Sequence, residues 1–294
     1  MLTEERLGLL AGVEADLSLL EPERLRDRLD VLDALEAGFG DADAGLLALD
    51  GDSDGRSYRR AQAIRGRLEA VNAELYRSLR VEIAHGNHRE TLPRWFQLAA
   101  GQEAKAGPAP GLGYDWQDEL LSGVLRLRDP GAANLRLGDE MVFYQPTPTR
   151  HILRLIAACE LCEGDVLVDL GSGLGHVPLL VSLLTGVECV GIEAEAAYVW
   201  SALECAESLN LSKVRFVQED ARTADLSDGT VVYLYTPFTG SILADVLGRL
   251  RRESLGRRIR VCSLGPCTET VAQEGWLRAS GALDEGQIAV FRSG

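Results

Sequence analysis

Several things are missing from this sequence of 294 residues, and each absence removes a class of protein. No apolar run reaches the roughly 18–20 residues needed to cross a bilayer, so a membrane protein is not expected. The start, MLTEERLGLLAGVEADL, is acidic and lacks the basic opening of a secretion signal. A cytoplasmic protein is the expectation. Positive charge is scarce as well: 30 Lys and Arg stand against 45 Asp and Glu, a formal net charge of -15. A surface of that sign argues against a nonspecific hold on a phosphate backbone, so direct nucleic-acid binding is not expected. Lysine itself is almost absent, with Lys105 and Lys213 alone among mostly arginine basic residues.

What is present divides near residue 135. Up to about Ala100 the pattern is helical, with Leu7, Leu10, Val13, Leu17 and Leu20 at three- and four-residue spacing. Pro22 suits the first turn of PERLRDRLDVLDALEA. A longer helix is expected from about Ser57 to Ala84, with Ile64, Leu68, Val71, Leu75 and Leu79 on one face. The Gly-, Ala- and Pro-rich stretch from Ala100 to Gly113 reads as a linker. We therefore expect a helical N-terminal cap or accessory domain over 1–134 and a second domain over 135–294.

In the second part, strand-like and helix-like segments alternate. The candidate strands are Val166–Leu170, Glu188–Glu193, Val214–Gln218, Val231–Tyr235, Ile259–Leu264 and Gln287–Arg292. Such alternation predicts an α/β fold, a mostly parallel Rossmann-like sheet with helices on both faces. Ligands of open α/β sheets sit at the carboxyl ends of the strands. There the stretch VLVDLGSGLGHV, Val166 to Val177, supplies a strand, a glycine turn and a helix start, which puts backbone N–H groups beside a ligand. A dinucleotide site would want G-x-G-x-x-G, but His176 stands where its last glycine belongs; the run is Gly171, Gly173, Gly175.

That run, with Asp169 just before it, resembles motif I of the class I S-adenosylmethionine (SAM) methyltransferases. The resemblance extends over about 135–294 and implies a seven-stranded sheet and SAM as cofactor. It places Asp169, Gly171, Ser172, Gly173 and Gly175 against the methionine part of SAM. Glu193, in the stretch CVGIEAE that closes strand two, stands where the family's acidic residue holds both ribose hydroxyls, a task suited to two acceptor oxygens. Asp220 and Ala221, in QEDARTAD, match the position that holds adenine. The segment MVFYQPTPTRHILRLI is similar to the loop before motif I in protein isoaspartate methyltransferases and in the non-SET, disruptor-of-telomeric-silencing type histone lysine methyltransferases. Motif I looks closest to the second family. By that resemblance Tyr144, Gln145 and Thr147 touch the methionine moiety, with Asp139 or Glu140 nearby; a hairpin and helix cap is the equal alternative for those two acids. Thr147 is expected as a helix N-cap with Pro148 at the first helical position.

After strand four the sequence departs from both families. Amine methyltransferases often carry Asn or Asp there; this chain has Thr236, Pro237 and Phe238. These three, with Tyr144, are the candidates for orienting a methyl acceptor. For Phe238, packing on the sheet is the alternative. His176 is a general-base candidate set against a capping or packing role. His85 and His88 read as exposed turn residues.

No metal is expected. DGDSDG, Asp50 to Gly55, opens like an EF-hand loop, but Ala61 stands at the twelfth position where the bidentate Glu belongs; Ser53 or Asp54 reads better as a helix cap. Cys159 and Cys162 should lie at the amino edge of the sheet and Cys267 past the carboxyl edge, so a shared zinc site is not expected. Trp95, Phe96, Tyr114 and Trp116 suit the wall of an acceptor pocket, or equally a homodimer interface or their own core. The functional expectation is methyl transfer to an unidentified acceptor, a protein or an amine; a small-molecule O-methyltransferase and a non-catalytic SAM-binding scaffold are the alternatives.

Overall fold

Val166–Leu170 is a run of apolar and β-branched residues interrupted only by Asp169, and it forms the central strand, β1. Such a run suits a strand covered on both faces. The computed structural model of the chain describes residues 3–40, 53–87, 91–96, 113–128, 130 and 140–294. Beside β1 lie β2 (Glu188–Glu193) and β3 (Val214–Gln218) on one side. β4 (Val231–Tyr235) and β5 (Arg260–Leu264) follow on the other. These five strands are parallel. β6 (Leu277–Ala279) and β7 (Ala289–Ser293) complete a seven-stranded sheet in the order β3-β2-β1-β4-β5-β7-β6, with β7 antiparallel to both neighbours. The first four strands begin and end where the sequence places them. β5 starts one residue later than expected, the last strand starts two residues later and ends one later, and β6 is an addition.

The helices of this part are α4 (Trp116–Leu125), α5 (Thr149–Cys159), α6 (His176–Thr185), α7 (Ala196–Ser208), α8 (Gly240–Ser254) and α9 (Cys267–Ala272). The amphipathic α8 buries Leu243, Val246, Leu247 and Leu250 in one core with Leu170, Val232, Leu234 and Phe291 of the sheet. The N-terminal part holds α1 (Thr3–Ala15), α2 (Leu25–Phe39) and α3 (Ser53–Ala84). Pro22 does open the turn that leads into α2. A separate cluster of Leu10, Leu19, Leu35, Phe39, Ala61, Ile64 and Leu68 forms there. Arg28 is wholly buried beside it, its guanidinium donating to Asn72 Oδ1 (2.6 Å) and to the carbonyls of Leu19, Glu21 and Pro22.

The chain gathers into two compact units, Met1–Leu79 and Arg80–Gly294. Residues 113–128 thus fall in the same unit as the sheet, although composition alone puts a change of character near 135. The side chains of Arg80 and Ser201 hold this segment: Arg80 donates to the Leu125 carbonyl (3.1 Å) and to Ser208 Oγ (2.9 Å), and Ser201 Oγ to the Arg128 carbonyl (2.9 Å). His88, Asp139, the linker over 100–112 and Asp50, Gly51 and Asp52 of the EF-hand-like run lie outside the described residues. Ser53 and Asp54 fall within α3.

Candidate active site

The carboxyl ends of β1, β2 and β4 converge on the glycine turn. Gly171, Gly173 and Gly175 all have positive φ, at 73°, 51° and 84°, where a side chain is strained. Neighbours also fill the space a side chain would need. A Cβ on Gly173 would stand 2.0 Å from the Tyr144 ring, and one on Gly171 would stand 2.4 Å from Pro237 Cβ. Tyr144 and Pro237, both inferred from resemblance, are therefore brought against the turn.

The turn spends its N–H groups differently from the expectation that it offers them to a ligand. Gly171 and Ser172 both donate to the Ile192 carbonyl (2.8 and 3.0 Å), and Gly175 donates to that of Ser172 (2.8 Å). Gly173 donates to Glu193 Oε2 (2.8 Å), while Glu195 N–H reaches Glu193 Oε1 (2.9 Å). The reason is the parallel pairing of β1 with β2, which sets Leu170 opposite Ile192 and lets the ladder run on into the turn. Glu193 is held by both oxygens, each keeping a lone pair for another donor. Ser172 Oγ is buried without a partner among the described residues.

Asp169 is 4% exposed. Burial, with the Glu193 carboxylate adding to it, pushes its carboxyl up to about 8. Across from it in register is Tyr233, a fully buried residue of β4 that the sequence reading passed over. Its hydroxyl lies 3.2 Å from Thr147 Oγ1. A tyrosine within the apolar VVYLY was the available signal, since a buried hydroxyl needs a partner. Thr147 is therefore no N-cap. Pro148 takes the cap position of α5, and the Thr149 N–H is received by Asp118 Oδ1 (2.7 Å).

Tyr144 Oη lies 3.1 Å from His176 Nδ1, and its ring is 5.0 Å from that of Tyr198. Burial pushes the Tyr144 phenol up and the His176 imidazole down, the latter to about 4. The two side chains thus meet within hydrogen-bonding distance at the start of α6. Gln145 is exposed. Asp220 is engaged by Arg222, which donates from Nη2 (2.6 Å), from Nε and from its backbone N–H (2.8 Å). That pairing holds the Asp220 carboxyl below its usual range. Ala221 is buried beside it. Glu140 accepts from Ser241 N–H (3.0 Å), Ser241 Oγ (2.7 Å) and Ile242 N–H (3.1 Å), so it caps α8.

Thr236 adopts φ 38°, a left-handed conformation rare for a β-branched residue. Its hydroxyl is turned sideways, donating to the Leu264 carbonyl (2.9 Å) and accepting from Cys267 N–H (3.2 Å). The Pro237 carbonyl accepts from Val142 N–H (3.2 Å). Phe238 is buried in the sheet core and its backbone bridges to Met141, the packing alternative for that ring. Cys159 Sγ and Cys262 Sγ lie 3.0 Å apart in the interior, a contact the sequence reading did not contain. Among the described residues, no group of His, Cys, Asp and Glu is arranged to hold a metal ion, and no helix is long and apolar enough to cross a membrane.

Comparison with known proteins bears on the same strands. The family model described as histone methylation protein DOT1 matches residues 140–233. The match spans β1, β2, β3 and the first residues of β4, and over 140–233 the chain is similar to that family. No curated protein matches the chain. Similar solved structures include an RNA methyltransferase from Salinibacter ruber in complex with S-adenosylhomocysteine (SAH), at 28% identity and TM-score 0.40 over 51% of this chain and 92% of that one. A SAM-dependent methyltransferase from Thiobacillus denitrificans, also with SAH, shows 25% identity and TM-score 0.34 over 45% and 56%. A putative methyltransferase from Escherichia coli shows 17% identity and TM-score 0.41 over 54% and 91%.

Proposed function

We propose that the chain binds SAM and transfers its methyl group to a nitrogen or oxygen nucleophile, with a protein or an amine as the leading acceptor. The observation that carries the reading is the pair Asp169 and Glu193 at the glycine turn. A buried carboxyl beside a second carboxylate is short of positive charge and donors. The ammonium and ribose hydroxyls of SAM offer both, so the residues present fit the group. When bound, SAM supplies a methyl group on a positively charged sulfur.

In this reading the turn from Gly171 to Gly175 with Ser172, Asp169, Tyr144, Gln145 and Thr147 holds the methionine end. Glu193 receives the ribose hydroxyls, and Asp220 with Ala221 borders adenine, Arg222 yielding part of its pairing. Thr236 and Pro237 shape the acceptor side through their backbone, Phe238 packing beneath them. We place the cofactor domain at 135–294 and read 1–134 as an accessory region. Methylation of a small-molecule hydroxyl is the second reading, favoured because the Thr236 hydroxyl is already committed and no side-chain amide stands at that position.

Calorimetric titration with SAH, run beside NAD, tests the cofactor. Saturable SAH binding is expected, with none for NAD, and Asp169→Ala or Glu193→Ala should weaken it at least about tenfold. Unchanged affinity in both variants would remove the site assignment. Clean SAH binding without transfer of labelled methyl to proteins, peptides or metabolites would favour a non-catalytic scaffold.

A further inference from the structure

One buried hydroxyl at the carboxyl edge of the sheet has no use in the fold. Tyr235 is the last residue of β4, and its Oη is buried without a hydrogen-bond partner among the described residues. Buried hydroxyls are nearly always satisfied, so an orphan at a strand end calls for a ligand. Tyr235 shares a face of β4 with Tyr233, the register partner of Asp169, and stands about 7 Å nearer the carboxyl edge. Its ring lies toward β5, against Gly265, where a Cβ would stand 3.6 Å from Cε2. Burial, with Tyr114 close by, pushes its phenol up, so the hydroxyl keeps its proton and can both donate and accept.

Three groups around the ends of β1 and β4 are engaged. The Thr236 hydroxyl is held between Leu264 and Cys267, the Pro237 carbonyl by Val142, and the Tyr144 hydroxyl lies against His176. We infer that Tyr235, one residue before the position where amine methyltransferases carry an amide, presents the side-chain hydroxyl that meets the methyl acceptor; this rests on the methyl-transfer reading above. An acceptor bearing N–H or O–H would donate to Tyr235 Oη and keep its lone pair free for the methyl group; as that bond forms the methyl–sulfur bond breaks, the neutral thioether leaves, and the acceptor's proton passes to solvent. A carbon nucleophile supplies no such donor, so the hydroxyl suits the nitrogen or oxygen acceptor proposed above.

The test needs no acceptor. Sinefungin carries an amine on carbon where SAM carries a methyl group on sulfur, so it sets a hydrogen-bonding nitrogen at the transfer position. In calorimetry, Tyr235→Phe should leave SAH affinity within about twofold of the parent and weaken sinefungin about tenfold. Because the lost hydroxyl has no protein partner, the variant should melt at or above the parent temperature. Affinities that fall together, or that both stay put, would overturn the inference, as would a variant melting several degrees lower. A parent protein that binds no SAH would instead sink the cofactor reading itself, and this inference with it.

Discussion

Asp169 keeps its proton at a pH where an ordinary carboxyl has lost it. With its carboxyl raised to about 8, roughly nine in ten molecules carry the proton at pH 7. A ligand ammonium placed beside it would favour the charged form, and the proton would leave as the ligand arrives. We therefore expect SAH binding at pH 7 to release up to about one proton, measured by calorimetry in buffers of different ionisation enthalpy. Asp169→Asn should abolish the release. For stability, a carboxyl raised in the folded state costs folding free energy progressively as pH climbs from about 4, where the unfolded chain ionises, to about 8, and nothing further above that. Asp169 was legible because it precedes a glycine run on a strand, whereas Tyr233 and Tyr235 were hidden by composition, reading as two more apolar strand residues. Their hydroxyls gain meaning only from what lies beside them. For Glu140 a cap was one of two equal readings, and the sequence could not choose between them, since the N–H groups it caps come from Ser241 and Ile242, a hundred residues on.

At the scale of elements, β1, β2, β3 and β4 could be read to the residue because each is a short apolar, β-branched run bounded by turn residues. β6 is three residues, LRA, too short and polar to show alternation, and exists because β7 pairs with it. The start of α5 was misread since the group receiving its first N–H, Asp118, lies 31 residues earlier. At the amino edge of the sheet, Asp165 ties β1 to β5. It accepts from the Arg260 guanidinium, from Thr230 Oγ1 (2.7 Å) and from Cys162 N–H (2.9 Å). Against the cost of burial, these bonds bring its carboxyl down to about 2. The stability it adds is present above about pH 4 and lost as pH falls through about 2. Asp165→Asn should cost about 3 kcal/mol at pH 7 in urea unfolding. Its deficit should vanish near pH 2, and SAH affinity should stay at the parent value, because the residue lies at the opposite strand ends from the glycine turn.

For the whole molecule, charge is the quantity that separates acceptor classes. This chain carries a net charge of -15. Repulsion from a phosphate backbone should leave no measurable affinity for a labelled RNA or DNA duplex at about 150 mM salt. Fluorescence anisotropy checks this, and a saturable, salt-dependent rise would redirect the search for the acceptor toward nucleic acid. A protein acceptor fits the charge better when its target segment is basic.

The strand order carries a consequence for how the protein is made. β7, the last strand in the sequence, is inserted between β5 and β6 and is the sole neighbour of β6. A chain emerging from the ribosome therefore presents β1, β2 and β4, with Asp169, Glu193 and Tyr235, well before the strand that joins β6 to the sheet. The strand ends that bear these residues can come together on a growing chain while the far edge of the sheet still waits for its closing strand.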